Sequence, residues 1–245
     1  MKKSRRVWLV ALAGLIAVSF LVTPELAIAQ GKSRDKRGPL SKITFIHYRK
    51  APAKPERPGK PPKEPKEPCY YEFIGRGLKW KDTAFFVIDP GGYDTELVQN
   101  AVLAGMEEWD VQVDFEIFDD GLLVAPAAPL VQDYINAIGF GEYPDANVIA
   151  VTYLWGYFTG PPGLREIIET DILFNTGFEW GDATVDPNLM DIQNIATHEL
   201  GHCAGMGDLY EDVAAEETMY GYSTEGETKK RDLACGDIKG IIELY

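Results

Sequence analysis

The chain has 245 residues, 45% hydrophobic and 25% charged, with 38 acidic against 24 basic side chains and a formal net charge of −14. The balance is uneven: residues 31–68 hold 12 Lys/Arg and 4 Asp/Glu, a net of +8, while residues 69–245 hold 8 and 33, a net of −25. So acidic a C-terminal part is unsuited to nucleic acid and compatible with calcium sites, cationic substrates or plain solubility.

The first segment reads as an export signal. Lys2, Lys3, Arg5 and Arg6 precede an uncharged, mostly apolar run from Val7 to Val22, and Ala27-Ile28-Ala29 is an A-x-A cleavage pattern, so residues 1–29 are expected to be removed. The run is short for a membrane span, and no later stretch is apolar enough to insert stably. A secreted, extracellular or cell-surface location follows. Export permits disulfides, and with three cysteines, Cys69, Cys203 and Cys235, at least one thiol stays unpaired within the chain.

Residues 30–68 read as a basic, proline-rich propeptide or tether, mostly disordered. Within it, KAPAKPERPGKPPKEPKEP (50–68) has seven prolines and almost nothing apolar. The preceding ITFIHYRK (43–50) alternates, which suits either a strand added to a domain or partner, or a disordered remnant. Residues 69–245 are long enough for one domain with its own core.

In chain order, TAFFVID (83–89) predicts a strand and TELVQNAVLAGMEEWD (95–110) a helix. Leu97, Val98, Ala101, Val102, Met106 and Trp109 share one face of that helix, and Asp94 or Thr95 caps it. VQVDFEIF (111–118), NVIAVTYLW (147–155) and EIIETDILFN (166–175) read as strands. LMDIQNIATHELGHCAG (189–205) and LACGDIKGIIELY (233–245) read as helices. The mixed order gives an α+β domain.

The chemistry concentrates in HELGHCAGMGDLY (198–210). His198 and His202, at i and i+4, place two imidazoles on one helix face, where they can grip one Zn²⁺. Glu199 is placed to act as general base toward a water on the ion. Gly205 can end the helix in a left-handed conformation and let position 208 return to the ion. The chain has only three histidines, and His47 lies beyond the proline-rich spacer. That reading excludes it from the site and makes Asp208 the third ligand, leaving a fourth position open.

His198, Glu199, His202, Gly205 and Asp208 together resemble the HExxHxxGxx(H/D) pattern of metzincin metallopeptidases. Thr218-Met219-Tyr220 resembles their Met-turn, and the spacing of GDLYEDVAAEETMYGY and of GDIKGIIELY is similar to the matrixin branch. The resemblance covers about residues 70–245. It implies a twisted five-stranded mixed sheet with three main helices, a substrate cleft, and hydrolysis of protein or peptide substrates with Glu199 as base. By the same analogy Glu169 to Asn175 supplies the edge strand of the cleft, open to pairing with an extended peptide.

Further expectations depend on that frame. Met219 lies beneath the imidazoles, and Tyr222, or less readily Tyr220, is a candidate donor to an oxyanion. Cys203 and Cys235 form a bridge or remain two buried thiols. Cys69 lacks the context of a zinc-capping propeptide cysteine, which leaves it a structural or intermolecular role. The histidine-rich second zinc loop of animal matrixins is missing. Calcium is a second candidate ion, at the acidic stretch of Glu179, Asp182 and Asp186, although no EF-hand spacing is present. Two rival readings stay open: a non-catalytic, cell-envelope-associated zinc-binding module, and a zinc hydrolase of non-peptide bonds.

Overall fold

The computed structural model describes residues 36–50 and 69–245, within one compact unit, Asp35–Tyr245. The signal reading of 1–29 and the proline-rich 51–68 lie outside the described residues. The elements in order are β1 (Ser41–Arg49), β2 (Phe86–Ile88), α1 (Thr95–Asp110), β3 (Leu123–Val124), β4 (Asn136–Gly141), β5 (Val148–Tyr157) and β6 (Glu166–Asn175). Then come β7 (Trp180–Gly181), β8 (Met190–Asp191), α2 (Ile192–Ala204), β9 (Tyr222–Ser223) and α3 (Cys235–Leu244). The architecture is α+β with a mixed sheet and three α-helices, as the matrixin resemblance implies.

One sheet runs β3-β2-β4-β6-β5-β1-β9, and β7-β8 form a separate two-stranded ribbon. Strands β2 to β6 make the expected five-stranded body. Strands β3, β2, β4 and β6 are parallel neighbours, and β5 lies antiparallel to β6. Strand β1 extends this body antiparallel on β5, from Ser41 opposite Gly156 to Tyr48 opposite Val148, and β9 pairs with it in parallel at Tyr48 and Arg49. The alternating ITFIHYRK segment is thus a strand of this sheet.

Three expectations change. Strand β6 is interior, between β4 and β5, so Glu169 to Asn175 do not line an edge. Its continuous burial says why, since both of its faces are covered. Residues 111–118 form no strand beyond a bridge from Phe118 to Ala84. Asp110 Oδ1 accepts from Ile117 N at 2.6 Å and Phe118 N at 3.2 Å, so the carboxylate at the end of α1 takes donors that a ladder would need. The disulfide joins Cys69 to Cys235, and Cys203 is a buried free thiol on the core side of α2.

Helices α1 and α2 pack against the sheet. Asp94 caps α1, accepting from Leu97 N at 2.8 Å, and Val98, Ala101, Val102, Met106 and Trp109 are buried, as their spacing predicts. Two indoles fix α2: Trp109 Nε1 donates to the Thr197 carbonyl and Trp80 Nε1 to that of Cys203, both at 2.8 Å. Asp191 caps α2 by accepting from Asn194 N at 2.8 Å, and its carboxylate also holds Arg231.

Candidate metal and catalytic site

Helix α2 is buried along almost its whole length, which explains the glycine within HELGH. A methyl group on Gly201 would stand 2.3 Å from Met219 Sδ and 2.6 Å from Trp109 Cζ2. Only glycine lets the helix settle onto the methionine beneath it. Gly205 ends the helix at φ 107°, a left-handed conformation that costs other residues energy. The chain then reverses, and the Leu209–Tyr220 bridge brings residue 208 back over the helix.

His198 Nε2 lies 3.3 Å and His202 Nε2 3.4 Å from Asp208 Oδ1. Each ring is oriented from behind: Nδ1 of His198 meets the Thr218 carbonyl at 2.7 Å, and Nδ1 of His202 meets that of Met206 at 3.0 Å. Carbonyls only accept, so both Nδ1 atoms carry the proton and both Nε2 lone pairs face Asp208. His198 Nε2 and Asp208 Oδ1 are buried without a hydrogen-bond partner. Buried polar atoms rarely go unpartnered, and two imidazoles with one carboxylate are the donor set of an open zinc site. The residues therefore fit a zinc ion.

The charge environment differs from one group to the next. Burial opposes ionisation of Asp208, but the facing His202 and His198 rings hold its carboxyl far below the usual range. Burial, helped by Lys230, lowers His198 to about 3, which leaves its imidazole neutral and able to ligate. In His202 the Asp208 charge outweighs burial and raises the ring. Burial pushes the Glu199 carboxyl up to about 7, against the pull of His202 and of a hydrogen bond from Thr152.

Four residues join the site that motif reading left out. Thr152 Oγ1 of β5 donates to Glu199 Oε2 at 2.5 Å. Tyr210 Oη donates to Asp208 Oδ2 at 2.9 Å, holding the carboxylate from outside. The other two are His47 and Lys230. His47, placed outside the site on sequence grounds, is buried at its centre because pairing of β1 with β5 carries it there. Its Nδ1 is 3.0 Å from Glu199 Oε1 and its ring centroid 4.0 Å from that of His198. Its Nε2 faces the ammonium of buried Lys230 at 3.2 Å, so Nε2 accepts and Nδ1–H donates to Glu199. Phe45, two residues earlier on β1, stacks on His202 at 4.0 Å. His47, His198 and Glu199 also form a second group close enough to share an ion. A groove of about 580 Å³ beside β1 reaches Asp208 and Tyr210.

Residues 157–245 match the model of the matrixin family. Metalloendoproteinase 1-MMP of Arabidopsis thaliana is 39% identical over 56 residues, 23% of this chain and 14% of that relative. The chain is matrixin-like. It spans only a small part of that relative's length. Residues 157–245, which match the family model, carry His198, Glu199, His202, Asp208 and Met219.

Other expectations fare differently within the matrixin-like frame. Tyr220 Oη turns away to Asp212 at 3.4 Å, and Tyr222 packs its ring against Tyr210 and Tyr220. In the acidic stretch Asp182 is paired with Arg231 of a distant segment at 2.6 Å, and Asp186 accepts from Asn188 N within its own loop at 2.9 Å, so both carboxylates already have partners. No described helix is long and apolar enough to cross a membrane.

Proposed function

We propose that the protein is an exported zinc-dependent endopeptidase that hydrolyses protein or peptide substrates. The observation that carries this reading is the convergence of His198 Nε2, His202 Nε2 and Asp208 Oδ1, with the Glu199 carboxylate beside them. Zinc held there would supply Lewis acidity to the scissile carbonyl and to the attacking water. Glu199 takes a proton from that water and passes it to the leaving amine, so one water adds across the broken C–N bond. Thr152 occupies Oε2, which leaves Oε1 as the oxygen for proton transfer once His47 withdraws. The signal-like residues 1–29 and the Cys69–Cys235 disulfide support export to an oxidising compartment.

Strand β1 supports reading 30–68 as a propeptide. It runs antiparallel on β5, the edge that an extended peptide would otherwise pair with, and its His47 blocks the base. The same burial of Glu199 favours one rival, a permanently closed, non-catalytic module. Glu199→Gln in the full chain, cut within 51–68 to free β1, separates them. Peptide hydrolysis is expected to fall roughly 10²–10⁴-fold against the equally cut wild type while bound zinc stays unchanged. Equal turnover in both proteins contradicts the role of Glu199, and no turnover in the zinc-loaded wild type favours the closed module.

A further inference from the structure

Lys230 is completely buried, yet among the described residues its ammonium meets only the Tyr220 carbonyl and His47 Nε2, and no carboxylate. Lysine is seldom buried without an anion, because removing the charge from water is costly unless an opposite charge replaces the lost hydration. The acids that act on it through space, Glu227, Asp208 and Glu199, are otherwise engaged. Asp208 accepts from Tyr210 Oη at 2.9 Å. Glu227 accepts from Ser223 Oγ at 3.0 Å, and Glu199 is held by Thr152 and His47.

The position of Lys230 is fixed from both sides. Its backbone N–H donates to Asn194 Oδ1 on α2 at 2.8 Å. Its neighbour Arg231 is clamped to Asp182 and Asp191, and Lys229 reaches the Ala215 carbonyl and Glu216. The ammonium is therefore held in a fixed place against His47 of β1.

What it faces is set by sheet register. Side chains alternate along a strand, so on β1 Phe45 and His47 turn toward the metal-ligating rings. A peptide taking the place of β1 on β5 would present a side chain where the His47 ring now lies, between Glu199 and Lys230. The imidazole meets Lys230 with a neutral lone pair. A carboxylate there would meet it with a full charge in a water-excluded setting, where such hydrogen bonds are stronger.

We propose that Lys230 determines the specificity of the cleft, selecting peptides with an aspartate or glutamate at one of the two residues flanking the cut bond. This rests on the peptidase reading and on β1 lying where a substrate would lie. Acidic side chains are favoured because they supply the anion that the chain withholds from Lys230. Apolar ones leave the ammonium dehydrated and unpaired.

The test uses the full chain, cut within 51–68 and loaded with zinc, acting on a mixed peptide library whose cleavage sites are read by mass spectrometry. Aspartate and glutamate are expected to be enriched about tenfold or more at one flanking position. Lys230→Met should abolish that enrichment, and Lys230→Arg should keep it. Cleavage without acidic enrichment, or with the same enrichment in Lys230→Met, overturns the assignment while leaving the peptidase reading intact. A zinc-loaded cut chain that hydrolyses no peptide overturns both.

Discussion

At the scale of single residues, the buried charge of Lys230 works against stability. Burial lowers its pKa from 10.5 to about 8. Below about pH 8 the folded and unfolded chains both carry the proton, and the desolvation penalty is present in full. Between pH 8 and about 10.4 the folded chain releases the proton first and the penalty fades. Lys230→Met should therefore raise the Tm of the uncut protein at pH 7, with a gain that shrinks toward pH 10. Thermal unfolding across that range checks it; a destabilised variant at pH 7, or a gain independent of pH, would count against the buried charge. His198, Glu199, His202 and Asp208 could be read from the sequence because local geometry fixes them: one helical turn, then one glycine-led reversal. His47, Thr152 and Lys230 could not, since Glu199 meets His47 and Thr152 across 152 and 47 residues of chain, and Lys230 meets His47 across 183, through strand pairing and loop closure.

At the scale of elements, α1 and α3 follow their periodic patterns closely, because each repeats a burial rule over ten residues or more, and β6 is a continuous run buried on both faces. Strand β4, with two glycines in NAIGFG, carries little such signal, and the order of strands carries none. That is why the expected edge strand β6 lies inside the sheet, with β5 beyond it and β1 beyond β5. Strand β1 was undecidable for the same reason: its alternation identifies a strand but not its partner. Paired on both sides, with Phe45 and His47 against the rings of His202 and His198, it covers β5 and the Glu199 carboxylate. The uncut chain should be nearly silent toward peptides. A Lys/Arg-specific cut within 51–68, where Lys63 and Lys66 are each followed by glutamate rather than proline, should raise activity on the order of 10²-fold as β1 leaves. Equal rates before and after cutting, with β1 shown by mass to have dissociated, would remove β1 from any role in latency.

At the scale of the whole molecule, the cut and the disulfide are complementary. Cys69 stands just after the proline-rich spacer, and its bond to Cys235 ties the start of the main domain to α3 across 166 residues. A loop of that length is worth ~4–5 kcal/mol in the chain-entropy account. The domain thus keeps its N-terminal boundary when 51–68 is severed. Burial pushes the remaining thiol, Cys203, well up, so it stays protonated and packs as a small apolar side chain.

The central claim is that two imidazoles of α2 and the carboxylate of Asp208 hold one zinc ion. Metal analysis of the purified full chain, beside its Asp208→Ala variant, tests it most directly. The account predicts one zinc per wild-type chain and a loss of affinity of ~100-fold or more in the variant, because one of three ligands is gone. A variant that keeps zinc as tightly as the wild type would contradict it.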